Sequence, residues 1–233
     1  MTQRHLKTAL LSAALVCFSL APKPVQAQQA RLEVFADRIA QCYIERAPEQ
    51  ARRWLGTLPG TREEGTVYRR SFGFEVCAEI VNIGDVWMTS MNRQRQRDLV
   101  AAAVLRTDYP SFPDALPPQT PTGTWLNRQI AALTPQAQVD RTAVQMLMFG
   151  DCLARRQWPA VTRLLRSERR SDMERAAIGE LRPHLAGCLP VGLTLRIDPQ
   201  VVRTVVTEPV YHILLDTPAD LSRASTGTVT GRR

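Results

Sequence analysis

Aromatic residues are scarce in this chain of 233 residues, at 6%, so its core must rest on Leu, Val, Ala, Ile and Met. Lysine is absent after Lys23, and histidine occurs only as His5, His184 and His212. No C-x-x-C or H-x-x-x-H spacing occurs, which removes the usual short ligand pairs of a zinc site and the usual redox motif. There is no G-x-G-x-x-G, no P-loop and no G-x-S-x-G, so the chain lacks the standard nucleotide cradles and the hydrolase elbow. Against these absences stand 44% hydrophobic and 22% charged residues and a net charge of +8. That balance is globular, and it excludes a wholly disordered chain and a polytopic membrane protein.

The first 27 residues read as a secretory signal peptide. Arg4 and Lys7 make a positive start, Thr8 to Ala21 is an apolar run, and Val25-Gln26-Ala27 places small residues at positions −3 and −1 of a cleavage site. The run is shorter than the roughly 20 residues that cross a bilayer. Leu15 and Val16 precede Cys17 where a lipoprotein signal would have small residues. The competing reading is an uncleaved N-terminal anchor. Cleavage after Ala27 predicts a periplasmic or secreted protein with no integral membrane segment.

Removing residues 1–27 leaves 27 basic residues, all arginine, against 22 acidic ones, a net charge of +5. Arginine suits bidentate phosphate contacts, so anion binding is one reading. The other is the codon bias of a GC-rich genome. Runs such as Arg62-Glu63-Glu64 and Glu168-Arg169-Arg170-Ser171-Asp172 interleave the signs, which favours the second and predicts no nucleic-acid partner.

Four cysteines remain: Cys42, Cys77, Cys152 and Cys188. An even number in an exported chain predicts disulfides. Cys42 to Cys77 spans 35 positions and Cys152 to Cys188 spans 36. At an offset of 110, Cys42, Arg46, Arg53 and Leu55 meet Cys152, Arg156, Arg163 and Leu165. Ile39, Tyr43 and Trp54 meet Phe149, Leu153 and Leu164, and at an offset of 111 Cys77 meets Cys188. The pattern points to an internal duplication. It predicts the pairings Cys42–Cys77 and Cys152–Cys188, each closing a loop that stabilises by roughly 3–4 kcal/mol.

The apolar spacing is helical. Phe35, Ile39, Cys42 and Tyr43 share one face of a helix from about Arg31 to Arg46. Pro48 opens a short helix to Leu58, and Thr61 with Glu64 forms a capping box for a third helix towards Val81. The second half repeats this order. A helix spans about Gln138 to Arg156, another runs from Trp158 to near Ser167, and a third is capped by Ser171 and Glu174 and ends near Gly187. Arg97 to Leu105 reads as helix. Its counterpart, Asp198 to Val206, is β-branched, yet Asp198-Pro199 is a helix start. The fold expected is all-α, two homologous helical units each holding one disulfide. Unit 1 covers 28–106, a Pro-rich linker 107–123, either semi-extended or a loop packed over the surface, unit 2 124–216, and a mobile tail 217–233. Met88, Met146 and Met148 read as core filling.

The arrangement of Cys42, Arg46, Arg53 and Leu55 and of Cys152, Arg156, Arg163 and Leu165 resembles small secreted proteins of alphaproteobacteria that carry tandem cysteine-flanked helical repeats. The resemblance covers about 34–81 and 144–191 and implies no catalytic residue.

No catalytic, cofactor-binding or metal-binding residue is predicted, and no cofactor. Glu75 and Glu79 share a helix face, as solvated carboxylates commonly do, and Arg163, Arg166, Arg169 and Arg170 read as a solvated face. The function expected is a non-enzymatic periplasmic module that binds another protein, because duplicated helical hairpins build stacked binding surfaces. The alternative is a carboxylate-dependent hydrolase acting on cell-wall glycan. A broad exposed patch holding Trp54 or Trp158 would mark the first. A cleft with two carboxylates in opposite protonation states would mark the second.

Overall fold

The computed structural model describes residues 24–70, 76–77, 92–195 and 197–217. The described residues form nine helices and no strand. The first unit comprises α1 (Pro24–Arg46), α2 (Pro48–Leu55), α3 (Arg62–Arg70) and α4 (Arg93–Asp108). A loop and the short α5 (Trp125–Ala131) lead to the second unit: α6 (Arg141–Arg156), α7 (Trp158–Arg166), α8 (Asp172–Cys188) and α9 (Pro199–Leu215).

Each helix starts where its local chemistry allows. α1 begins at Pro24, ahead of the expected Arg31, because proline fits a first helical turn and the Gln and Ala that follow are good helix formers. α2 stops at Leu55, short of Leu58, and Gly56 closes it. α6 begins at Arg141, later than expected, since Asp140 accepts from the Ala143 N–H and caps it. Sequence reasoning did not assign α5. Thr124 caps that helix by accepting from the Asn127 N–H at 3.1 Å.

α9 is the element on which propensity and context disagree. Its Val and Thr residues favour strand, but Asp198 caps the Val201 N–H at 2.9 Å and Pro199 pre-sets the first turn. The helix is then buried along nearly its whole second half, Val205 to Leu214. It packs against α4, α6, α7 and α8, so tertiary burial decides the outcome. Its approach to α6 is close. A Cβ on Gly150 would lie 1.8 Å from the Val205 carbonyl oxygen, so only glycine fits there.

A single hydrophobic core runs through both units, from Ile39, Tyr43, Trp54 and Val100 to Phe149, Leu164, Leu181 and Val206. A smaller cluster of Leu58, Trp125, Leu126 and Leu147 flanks it. The disulfides are Cys42–Cys77 and Cys152–Cys188, with Cα–Cα distances of 5.8 and 5.6 Å, as the spacing predicts. The first ties α1 to helical residues 76–77, and the second ties α6 to the end of α8.

The expected linker is a packed loop. Pro117 is buried, Phe112 and Leu116 pack on the core, and the Pro113 carbonyl accepts from Trp158 Nε1 at 2.9 Å. The apolar run of the signal segment, most of the stretch from Arg70 to Val81 over which the third helix is expected to continue, Glu75, Glu79, Met88 and the tail after Thr217 lie outside the described residues. No helix among the described residues is long and apolar enough to cross a membrane.

Candidate functional site

The two halves build the same turn between their second and third helices, at positions 110 apart. Thr61 and Ser171 cap α3 and α8, each accepting from the N–H of the glutamate three residues on, Glu64 or Glu174, at 3.1 Å. The glutamates reach back to the Gly60 and Arg170 N–H groups at 3.0 and 2.6 Å. One turn earlier, the Thr57 and Ser167 hydroxyls donate to the Trp54 and Leu164 carbonyls. Ala47 and Gln157, which open α2 and α7, share nearly the same backbone angles, φ −140 and −137°.

An arginine from the fourth helix of each half enters that turn. In the second half Arg203 pairs with Glu174 at 2.7 Å and donates to the Ser167 hydroxyl at 2.8 Å. In the first half Arg97 is fully buried. It donates to the carbonyls of Trp54, Leu55 and Thr57 and lies 3.6 Å from Glu64. Arg97 also reaches across the unit boundary. Its Nη2 and Nε donate to the Glu208 carboxylate of α9, the shortest contact being 2.6 Å. A buried charge survives only when paired and hydrogen-bonded, and Arg97 meets both conditions. These two arginines have a structural role that neither the anion-binding reading nor codon bias anticipates.

Glu208 leads to His212, one turn along α9. His212 is 4% exposed and lies flat on the Trp125 ring, centroids 3.5 Å apart. Its Nε2 is 3.4 Å from Glu208 Oε1, yet neither ring nitrogen completes a hydrogen bond among the described residues. Burial lowers its basicity despite the pull of Glu208, so the ring is neutral near pH 7. Burial opposes ionisation of Glu208 too, but the buried guanidinium of Arg97 outweighs it and holds the carboxyl well below the ordinary range.

Two of the concavities among the described residues bear on function. One, of about 730 Å³, lies between α4, α6 and α9 and is lined by Asp98, Asp140, Thr142, Met146, Thr204 and Glu208. Asp98 is pushed up to about 6, mainly by burial, with Glu208 adding repulsion and a 2.9 Å bond from Gln94 opposing it. Asp98 and Glu208 thus share a cleft with their protonation driven in opposite directions. Both oxygens of Glu208, however, already accept from Arg97.

The other concavity is a groove of about 1280 Å³ to which both units contribute. Asp37, Leu105, Arg106, Tyr109 and Phe112 come from the first unit and its loop, and Arg166, Glu168, Arg169 and Arg203 from the second. Arg203 is satisfied by Glu174, and Arg169 is paired with Asp37 at 3.2 Å. Arg166 lies over the Phe112 ring at 5.2 Å and donates to the Phe112 carbonyl, with no carboxylate partner among the described residues. Arg106 is exposed and makes no ion pair or hydrogen bond among the described residues.

No protein-family model, no curated protein and no solved structure corresponds to this chain.

The site residues expected from sequence are dispersed. Trp54 and Trp158 are buried, at 1% and 2% exposure, so neither can belong to an exposed patch; Trp54 fills the core beside the first capping turn, and Trp158 opens α7 under the loop at Pro113. Glu64 is buried in the capping turn, whereas Glu63 is exposed. His184 is half-buried in α8. Met146 packs on the core as expected, but Met148 is 45% exposed on the opposite face of α6. Arg163, Arg166, Arg169 and Arg170 are exposed, though Arg163 and Arg169 hold ion pairs with Glu180 and Asp37. No group of three or more His, Cys, Asp or Glu placed to hold a metal occurs among the described residues. Sequence reasoning missed Arg97, Arg203 and Glu208. The missing signal was a second offset, since Asn92, Arg95 and Arg97 correspond to Asp198, Val201 and Arg203 at 106 rather than 110.

Proposed function

We propose that this is an exported, non-enzymatic protein-interaction module, built by duplication of one helical unit and docking a partner protein at the junction of its halves. Export is supported by the three-part segment before Gln28 and by two disulfides, which persist in oxidising compartments. Duplication is supported by the matching turns at Gly60 and Arg170 and by the two arginines that enter them. The observation that carries the function is the groove shared by both units, with exposed Arg106 and with Arg166 stacked on Phe112. Each unit alone would supply half of it.

The hydrolase reading has one observation in its favour, the cleft holding Asp98 and Glu208. Glycoside hydrolysis by a carboxylate pair needs one acid and one free base or nucleophile. Both Glu208 oxygens accept from Arg97 and the residue is 3% exposed, while Asp140, the third carboxylate of the cleft, caps α6 by accepting from the Ala143 N–H. Affinity capture by the full chain from periplasmic extract, run beside a peptidoglycan-cleavage assay, tests the choice. Retention of a specific protein with no glycan cleavage is expected. Glycan cleavage abolished by Asp98→Asn, with no protein retained, overturns the proposal.

A further inference from the structure

Resting on the interaction reading above, we infer that the groove between the two units binds a carboxylate-rich segment of its partner, anchored by Arg106 and Arg166 and seated on Tyr109 and Phe112. The sign of the groove sets the chemistry. Of its four arginines, Arg169 and Arg203 are neutralised within the protein by Asp37 and Glu174. Arg106 and Arg166 have no carboxylate partner among the described residues, and with Asp37 paired to Arg169 the one lining carboxylate left to oppose them is Glu168. Arg166 is also pre-positioned. Its guanidinium is held over Phe112 and bonded to the Phe112 carbonyl through Nη2, so a carboxylate that pairs with it meets a side chain already ordered, at little further entropic cost.

The aromatic side chains decide between an extended peptide and a simple anion. Tyr109 and Phe112 line the groove from the loop after α4, and both pack against the core from below. They offer rigid apolar contact beside the two charges, which suits alternating acidic and apolar side chains. Two other occupants have the wrong charge. Residues 218–233 carry Arg223, Arg232 and Arg233 against Asp220, and a second copy of the chain is itself net positive.

The test is fluorescence anisotropy with a labelled peptide of aspartate and glutamate interrupted by phenylalanine. The same peptide with every acid replaced by its amide, and inorganic polyphosphate, serve as comparisons. The acidic peptide should bind, the amide peptide should not, and the affinity should fall on raising salt to about 0.3 M as screening shortens to several ångströms. Arg106→Ala and Arg166→Ala should each weaken binding by about threefold to fivefold, as expected for solvent-accessible pairs. Glu168→Gln should tighten it, an effect that loss of folding would not produce. The Arg106→Glu/Arg166→Glu variant, with circular dichroism confirming its fold, should abolish it.

Equal binding of the acid and amide peptides, or unchanged binding by the charge-reversed variant, overturns the inference. So does preference for polyphosphate, or a doubled mass in sedimentation that the charge-reversed variant loses. Capture of the same periplasmic protein by wild type and by the charge-reversed variant overturns the groove assignment and leaves the interaction reading standing. Glycan cleavage with no protein captured removes that reading itself.

Discussion

Gly60 and Arg170 occupy the same point of the same turn in the two halves, and both are left-handed, with φ of +81° and +64°. Both direct their N–H at the carboxylate four residues on. Arg170 is the one non-glycine residue with positive φ among the described residues, and a side chain there costs about 1 kcal/mol. Gly60 has no such option, because a Cβ would meet the Asp140 backbone nitrogen at 2.0 Å. Arg170→Gly should therefore stabilise the protein by about 0.5–1 kcal/mol. Gly60→Ala should destabilise it by more than about 2 kcal/mol. Urea titration of the two variants beside wild type measures both, and equal shifts would contradict the geometry.

The α6–α9 crossing makes a second demand. An alanine methyl at position 150 would sit 1.8 Å from the Val205 carbonyl oxygen and 2.9 Å from Pro209 Cγ. Backbone stands on one side and a helix-locked proline ring on the other, so the helices must separate. Gly150→Ala should cost about 2–4 kcal/mol despite its better helix propensity. Gly179, on the open face of α8 with nothing within 4 Å, is the control. Its alanine variant should gain up to about 1 kcal/mol. Thermal unfolding of both variants checks the sign reversal.

The buried pair Arg97–Glu208 joins the two units inside one core. Glu208→Gln would leave a buried guanidinium facing only carbonyls and the more distant Glu64, and should destabilise by about 3–5 kcal/mol. Replacing both, as Arg97→Met/Glu208→Leu, removes the stranded charge and should recover part of that loss. Recovery stays incomplete because the Leu55 and Thr57 carbonyls lose their donor. Chemical denaturation of Arg97→Met, Glu208→Leu and the double variant gives the coupling. A double variant that loses as much as the sum of its singles, or more, would show the pair contributing nothing of its own.

How far the sequence reaches is visible in the same residues. The 110-residue offset, the two capping boxes and the cysteine spacing predict the helical order of each half and both disulfides, since all are local or evenly spaced signals. The offset changes to 106 at the fourth helix, so Arg97 and Arg203 do not align, and a buried arginine looks like any surface arginine until its carbonyl partners are known. Trp54 and Trp158 read as candidate surface anchors because a lone tryptophan carries no marker of burial. The groove was not legible at all. It exists only where the loop at Tyr109 and Phe112 meets the turn at Ser167 to Arg169, far apart in the chain.

Asp98 supplies a prediction in pH. Burial raises its carboxyl to about 6 from an ordinary 3.8, so the folded protein binds this proton more tightly than the unfolded chain does. The stability that protonated Asp98 contributes is fully present below about pH 4 and is lost as pH rises through 6. Above that, the native state holds a part-buried carboxylate repelled by Glu208. Asp98→Asn removes the ionisation while keeping a polar partner for Gln94. It should leave stability unchanged near pH 4 and raise it by about 1–3 kcal/mol at pH 7.5. His212 moves the opposite way. Its lowered basicity gives stability that is present above 6.5 and lost as pH falls, and this change is common to wild type and variant. The difference between their unfolding curves, measured from pH 4 to 8, therefore isolates Asp98. A difference that is flat with pH, or largest at the acid end, would show that the carboxyl is not held protonated by its surroundings.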